Sequence, residues 1–500
     1  MKLRHVLLLA SVFTSSELFA QNLSDAARLM RDPLPVGARS TGMNRSLIAG
    51  IRDYTALDLN PAAIAPIGFR EFGLTISHRQ QSSVASYLGT TAEADMGSTD
   101  LGSIGFGFRI PTDTGHFAWG ISYDRVADYS NRYSFKAVNN SSSFINTRGF
   151  IDDPGIANGE SIDEYRDFLK ENNLAWWTYL TEDIDSGNTQ LTTRLKSGLQ
   201  ESGTVTEEGG MNALRFGAGI DVGPGISIGG AMNVLFGSYE SRRVLEVSDV
   251  NGLFSNEAGD APNRFQSAEI IDLRTQSQAG LNLKFGLLVY TLDLVRFGLT
   301  VETPTWLSIE DNFVRTASSR FASGERYESE TDHEPLIVND YDITTPFKFG
   351  GGLSFHLPNT TISGSATYFD ASQVEFGNSE HLGKVNDFAK TDFAPVLSWS
   401  VGAEHVIPVI GVAVRAGYGI EASPYEFDVE SDYDVKSLSA GISVLLSKNT
   451  ALDFSYRRTN FTTDHTVYSD ETPEGTPVRA IVDRDDVTRN AFSATFGYRF

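Results

Sequence analysis

Apolar side chains recur at every second position along most of this chain. In the last segment Phe492, Ala494, Phe496, Tyr498 and Phe500 share one face, and Ser493, Thr495, Gly497 and Arg499 share the other. Neighbouring side chains of an extended chain point to opposite faces, so each such segment is a strand with one greasy side and one small or polar side. The same pattern covers Phe72, Leu74 and Ile76, then Ile104, Phe106, Phe108 and Ile110. It returns in Leu214, Phe216, Ala218 and Ile220, and again in Leu438, Ala440, Ile442 and Val444. After the first twenty positions no apolar run approaches the roughly 18 residues that a membrane-crossing helix needs.

A soluble sandwich alternates too, but three features point to a closed barrel in a membrane. The polar faces carry Arg, Lys, Asp and many of the 46 Gly, which suits a narrow, polar bore. Aromatic residues gather at strand ends, as interface girdles require. Connections alternate between short and long. The short ones lie near 111–115, 223–225, 289–293, 358–359, 407–410 and 448–449. The long ones lie near 80–100, 129–210, 240–268, 306–341, 373–391, 422–433 and 461–487. That asymmetry separates periplasmic turns from extracellular loops. The expected fold is all-β: a membrane-spanning antiparallel β-barrel of about 14 strands over residues 68–500, in the outer membrane of a Gram-negative cell. The terminal Phe500 fits a strand that closes it.

Lys2 and Arg4 precede an apolar stretch over 6–13, and Leu18-Phe19-Ala20 offers a small residue before Gln21. Residues 1–20 therefore read as a secretory signal peptide. The chain has 40 Lys+Arg against 64 Asp+Glu, a net charge of −24, which excludes nucleic-acid binding by a basic surface. The absence of Cys excludes a disulfide scaffold and a thiolate nucleophile or ligand set.

Residues 21–67 do not alternate. At the periplasmic end of a barrel they have one obvious place to go, the bore itself, as a hatch or plug. Asn60 before Pro61 and Ala62 marks a helix start with proline at its first position. This stretch resembles the N-terminal hatch of FadL-type outer-membrane transport proteins. The resemblance rests on Gly37-Ala38-Arg39-Ser40-Thr41-Gly42-Met43 and on a run from Tyr54 to Ala65 that contains Asn60-Pro61-Ala62. Val301-Glu302-Thr303-Pro304-Thr305-Trp306 and Thr344-Thr345-Pro346-Phe347 are similar to strand segments of relatives from Bacteroidetes-like bacteria. The family often has a Gly-rich run after Gly-Met, where this chain has Asn44-Arg45-Ser46.

The resemblance implies uptake of a hydrophobic small molecule such as a long-chain fatty acid. Capture would occur in an extracellular groove, transfer to a lumenal pocket, and release sideways or to the periplasm as the hatch shifts. It also implies a monomer among outer-membrane lipid and lipopolysaccharide, and a kinked third strand. The alternation of that strand stops at Arg125-Val126-Ala127-Asp128. A FadL-like barrel serving as an accessory or shuttle in protein secretion to the cell surface is the alternative, and a general porin a third class.

Candidate ligand residues follow from the long extracellular connection and from the polar faces. Ser161-Ile162-Asp163-Glu164 reads as a capping box opening a helix. Phe168, Leu169, Trp176, Trp177 and Leu180 follow at roughly helical spacing, and either line an apolar groove or pack the loop onto the barrel rim. For an acid head group, the inward-facing Arg109, Arg215, Lys348 and Arg415 are candidates, with Arg457 and Arg499 beside them. No catalytic constellation, cofactor motif or metal-ligand spacing emerges. Gly225-Ile226-Ser227-Ile228-Gly229 spells a nucleophile elbow but lies in an alternating strand. Asp183, Asp185 and Asn188 lack the closing Glu of a calcium loop. Asp483, Asp485 and Asp486 are candidates for surface divalent ions.

Overall fold

The computed structural model describes residues 16–112, 115–151, 161–181, 191–254, 264–291, 294–329, 337–378, 383–428, 430–472 and 476–500. Fourteen antiparallel strands close on themselves. They begin with β1 (Glu71–Tyr87), β2 (Thr90–Pro111) and β3, which runs over His116–Asp128 and resumes over Asn131–Asn139. Then come β4 (Leu199–Gly223), β5 (Ile226–Ser248) and β6 (Phe265–Thr291). Three interrupted strands follow: β7 (Val295–Glu302 and Trp306–Phe321), β8 (Ile337–Thr344 and Lys348–Leu357) and β9 (Thr360–Asp370 and Glu375–Gly377). The set ends with β10 (Pro395–Ile407), β11 (Val412–Glu421), β12 (Val435–Leu445), β13 (Thr450–Glu471) and β14 (Pro477–Arg499). β14 pairs with β1 from Glu71 opposite Arg499 to Tyr87 opposite Val482, which seals the cylinder.

The greasy rows face outward. Phe492, Phe496 and Tyr498 are exposed, as are Phe216, Phe285, Phe349, Phe355 and Leu438. An apolar belt of this kind belongs in hydrocarbon, and a closed ladder leaves no strand edge there to satisfy. The chain is an outer-membrane β-barrel.

The inner face is lined where it matters by glycine, and the N-terminal segment fills the space that glycine leaves. A β-carbon on Gly73 would lie 2.1 Å from the Tyr54 ring, and one on Gly105 would lie 2.2 Å from it. One on Gly286 would lie 2.0 Å from Asn60 Oδ1, and one on Gly229 would lie 2.5 Å from the Pro61 carbonyl group. Helix α1 (Ser16–Met30) precedes this plug; α2 (Gly37–Gly42), α3 (Ala56–Leu59) and a 3₁₀ turn (Pro61–Ile64) build it. Asn60 caps the turn by accepting from the Ala62 N–H, and its amide nitrogen donates to the carbonyls of Ile48 (3.1 Å) and of Leu287 in β6 (3.2 Å). Asn44 and Arg45 both take left-handed φ, 50° and 61°. Where a glycine would fit freely, their side chains are held: Asn44 donates to Ser437 (2.8 Å) and Arg45 pairs with Asp58 (2.8 Å).

Several of the expected long loops are partly or wholly strand. Over 80–100 the chain runs to Tyr87, turns at Leu88-Gly89 with positive φ at both, and returns as β2. The spans 131–139, 199–210, 240–248, 306–321, 461–471 and 477–487 also lie in strands. Above the hydrocarbon neither face of a strand needs to be apolar, so the alternation disappears while the hydrogen-bonded ladder continues. The pair of inward and outward residues there is polar on both sides, as in Gln80-Gln81-Ser82-Ser83.

If the hatch corks the bore, Gly105→Val drives Tyr54 from its seat at a cost of about 1–3 kcal/mol. Proteoliposomes carrying that variant, or a chain lacking 21–60, are expected to leak small hydrophilic dyes while the barrel keeps its heat-modifiable mobility on gels. Permeability equal to the parent in both refutes the plug.

Candidate functional site

Three groups of charged contacts fasten the hatch to the wall. Asp58 is buried and receives Arg45 (2.8 Å) and, from β4, Arg215 (2.9 Å). Arg215 also holds Asp124 of β3, and Lys284 of β6 donates to the Asp58 carbonyl at 2.7 Å. Arg39 meets Glu404 of β10 through two 3.0 Å bonds, and Glu404 and Asp453 together take Arg415 at 2.6 Å each. Asp25 of α1 receives Arg274 (2.7 Å), Arg28 (2.7 Å) and the Tyr341 hydroxyl (2.7 Å). Burial by itself would push the Asp58 carboxyl up. Arg45, Arg215 and Lys284 outweigh it and hold the group below the ordinary aspartate value.

Above the hatch lies a lumenal cavity of about 460 Å³. Its apolar lining includes Met211, Leu235, Leu307, Trp399, Tyr425 and Phe461. Two cations face Phe461, and a third shares its chamber. Arg31 and Arg489 sit 5.3 and 5.2 Å from its ring centre, and Arg457 lines the same chamber. Arg457 donates to Asn44 Oδ1 (2.9 Å) and Ser437 (3.2 Å), and Arg489 to Gln81 (2.7 Å). Among the described residues no carboxylate lies within 4 Å of any of these three guanidinium groups.

A smaller cavity of about 70 Å³ adjoins this chamber, sharing Leu34, Asp128, Arg457 and Arg489 and reaching Met96 and Ser98 of β2. It abuts a seam in the wall. β2 pairs with β3 only from Ser103 opposite Asp124 down to Pro111 opposite His116. Higher up, β2 stays with β1 while the resumed part of β3 stays with β4. The register of β3 against β4 shifts between Arg125 and Ala127. Gly209 and Gly210 of β4 face that bulge with φ of 107° and 153°, and a β-carbon on Gly210 would lie 2.4 Å from the Ala127 carbonyl oxygen. The freed Val126 carbonyl accepts from the Leu34 N–H of the hatch at 2.8 Å. Side chains span the seam: Ser98 donates to Asp128 (3.1 Å), and Arg79 pairs with Asp100 (2.7 Å) and Asp128 (3.5 Å).

The candidate residues from the sequence fall in different places. Arg215 and Lys348 reach the cavity. Lys348 donates to the carbonyl of Met30 (2.7 Å), so it also caps α1. Arg415 lies in the Glu404–Asp453 network, and Arg109 donates to the Gly68 carbonyl (3.1 Å) at the periplasmic rim. The capping box at Ser161 and Glu164 is present and opens α5 (Ile162–Asn172). Leu169 is buried with Ile151, Tyr165 and Leu191, with Trp176 packed against them. Leu180 joins the apolar core that fills the outer barrel, and the Trp177 indole N–H donates to the Glu328 carbonyl (2.6 Å). The Phe168 side chain, and Asp183, Asp185 and Asn188, lie outside the described residues. Ser227 donates to Asp221 (2.7 Å) inside a strand, away from any elbow turn. Asp485 is not at the surface: it is buried against Ser83 (2.5 Å) and His465 (2.9 Å). Arg31, Arg489 and Phe461 had no local signal. They lie in the hatch and in strand regions without apolar alternation.

No family model matches the chain, and no curated protein matches it. Among solved structures, a FadL homologue of Pseudomonas aeruginosa superimposes with a TM-score of 0.55 at 12% identity, over 94% of this chain and 100% of that one. The toluene transporter TbuX of Ralstonia pickettii gives 0.46 at 13% identity, over 93% and 98%.

The Asp58 clamp has a defined pH dependence. A carboxyl with a lowered folded value stabilises fully above its unfolded value of about 3.9, and the stabilisation fades as pH falls through the folded value. Dye leakage from proteoliposomes is expected to stay flat from neutral pH to about 5 and to rise below about 4. Asp58→Asn strands Arg45 and leaves Arg215 with Asp124 alone, at a cost of about 3–5 kcal/mol, so it leaks already at neutral pH. An Asp58→Asn variant as tight as the parent refutes the clamp. The chain has the FadL-type fold: a fourteen-strand outer-membrane barrel closed around its own N-terminal hatch.

Proposed function

We propose that this protein takes up amphipathic hydrophobic molecules with an anionic head, long-chain fatty acids foremost, across the outer membrane. The ligand rests in the lumenal cavity and leaves sideways through the β2–β3 seam. Residues 1–20 are removed on export, and the mature chain acts as a monomer.

One observation carries the reading. Arg31, Arg457 and Arg489 line one chamber with Phe461, and none of the three guanidinium groups has a carboxylate within 4 Å among the described residues, although Asp32 and Glu421 line the same chamber. These guanidinium groups feel Asp32, Glu421, Asp128 and Glu207 only at longer range, so an anionic head brought among them gains the direct charge-assisted hydrogen bonds that those carboxylates do not make. An uncharged hydrocarbon would make no such bonds. The volume suits a ligand of this size, since binding cavities commonly span about 300–1,000 Å³. The adjoining small cavity leads from the arginines to Met96 and Ser98 at the seam. A filled bore also speaks against a general porin.

The test compares head groups on one tail. Arg457→Gln with Arg489→Gln is expected to raise the Kd for a fluorescent C18 fatty acid at least tenfold, about 1.4 kcal/mol, and to leave the matching fatty alcohol unchanged. Equal loss for both probes, or for neither, overturns the head-group assignment. Large steady currents in planar bilayers would overturn the uptake reading in favour of a porin.

A further inference from the structure

The way into the cavity from outside is not stated by its lining alone, but the packing above it narrows the choice. One apolar core fills the outer barrel beside β3 to β7 and β13 to β14, drawing in Phe144, Ile145 and Phe150 from the long connection. Glu201 locks that core: it receives the Tyr87 hydroxyl (2.5 Å), the Asn139 amide (3.0 Å) and the Phe144 N–H (3.0 Å). A second core packs α1 and α7 (Gly383–Asp392) against β3 to β5 and β7 to β10, through Met30, Tyr341, Phe376 and Val385. The cavity lining also reaches the extracellular ends of β11 to β13, with Ile420, Val435 and Phe461 outside both cores and Tyr425 at the edge of the second.

That sector is crowned by a ladder of rings. Phe427 is 60% exposed and stacks on Tyr425 at 5.1 Å, and Tyr433 stands edge-on to Phe427 at 5.6 Å. Tyr425 is half-buried and lines the cavity. The loop that carries them is built rather than slack. Asp428 accepts from the N–H groups of Asp432 (2.8 Å) and Tyr433 (3.1 Å), and Asp434 from that of Ser423 (3.0 Å). Backbone bonds fasten it to the end of α7, from Glu426 N–H to Asp392 (2.8 Å) and from Ala394 N–H to Pro424 (2.9 Å).

We propose that the loop between β11 and β12 is the extracellular portal, and that Phe427, Tyr433 and Tyr425 pass the apolar tail of the ligand into the cavity. The inference rests on the fatty-acid reading above. The rim carries Glu426, Asp428, Asp432 and Asp434, so the tail leads and the head follows toward Arg31. A portal lowers a barrier without changing either end state. Association and dissociation therefore slow together when it is damaged, and affinity holds.

The experiment is stopped-flow binding of 12-(9-anthroyloxy)stearate to the full chain in lipid nanodiscs. Phe427→Ser with Tyr433→Ser is expected to slow both rate constants at least fivefold and to leave Kd within twofold, with heat-modifiable mobility confirming the fold. Trp176→Ala with Trp177→Ala is expected to leave both rates within twofold. Unslowed rates in the first variant overturn the portal, as does a raised Kd at an unchanged association rate. Slowing by the tryptophan pair alone moves the portal to the long connection. A parent chain that fails to bind the probe overturns the fatty-acid reading, and the portal with it; a parent that binds while the Phe427 variant keeps its rates overturns the portal only.

Discussion

Hydrocarbon offers no partner to a backbone N–H or C=O, so whatever crosses it must satisfy those groups from within. Closure of β14 onto β1 does this for the whole cylinder, and the chain end extends it: the Phe500 N–H donates to the Arg70 carbonyl at 2.9 Å. The same constraint decides where the wall is allowed to part. The β2–β3 ladder spans nine residue pairs, Ser103 to Pro111 against Asp124 to His116. A tilted strand needs about 9–11 residues to cross the apolar layer. The ladder thus lasts just long enough, and the seam starts where unpaired backbone can first meet water or head groups. Above it, Arg79, Asp100, Ser98 and Asp128 supply with side chains what the backbone no longer does.

Filling the bore is the second consequence. A fourteen-strand cylinder left open would conduct, and one filled by bulky wall residues would have no chamber. Glycine on the inner face resolves this by letting a folded segment press against bare backbone. Tyr54 sits between Gly73 and Gly105, and the Asn60–Pro61 turn lies on Gly229 and Gly286. The plug then needs specificity as well as fit. Paired charges provide it, because Asp58 and Glu404 are each buried and matched to arginines from both hatch and wall.

Much of the barrel is legible in the sequence because one physical boundary, lipid against lumen, imposes a period of two. The rows around Phe106, Phe216 and Phe496 report it directly. Where that boundary ends, so does the legibility, and the strand extensions over 80–100 and 461–487 resemble loops. The kink shows the same limit. The alternation breaks at Arg125–Asp128, but the glycines that permit the bulge are Gly209 and Gly210, on the neighbouring strand. The cations are the hardest case. Arg415 and Arg457 look alike in the sequence, on equivalent inward positions. One is spent on Glu404 and Asp453, and the other donates to the neutral Asn44 and Ser437. Nothing local separates them, because the difference lies in partners from distant strands.

The hatch touches both the chamber and the seam, and the strengths of its two attachments differ. The Leu34 N–H to Val126 carbonyl bond is neutral and faces the lumen, so breaking it exposes its groups to water at about 0.5–1.5 kcal/mol. Releasing Asp58 leaves a buried anion and Arg45 unmatched, at about 3–5 kcal/mol. Arg45 ties the two together, since it holds Asp58 and also donates to the Leu34 carbonyl at 3.1 Å. Motion that costs least therefore begins at residues 33–35, beside the small cavity, and stops at Arg45. On these magnitudes the sideways exit proposed above asks only the segment at the seam to yield, while the body of the plug stays seated.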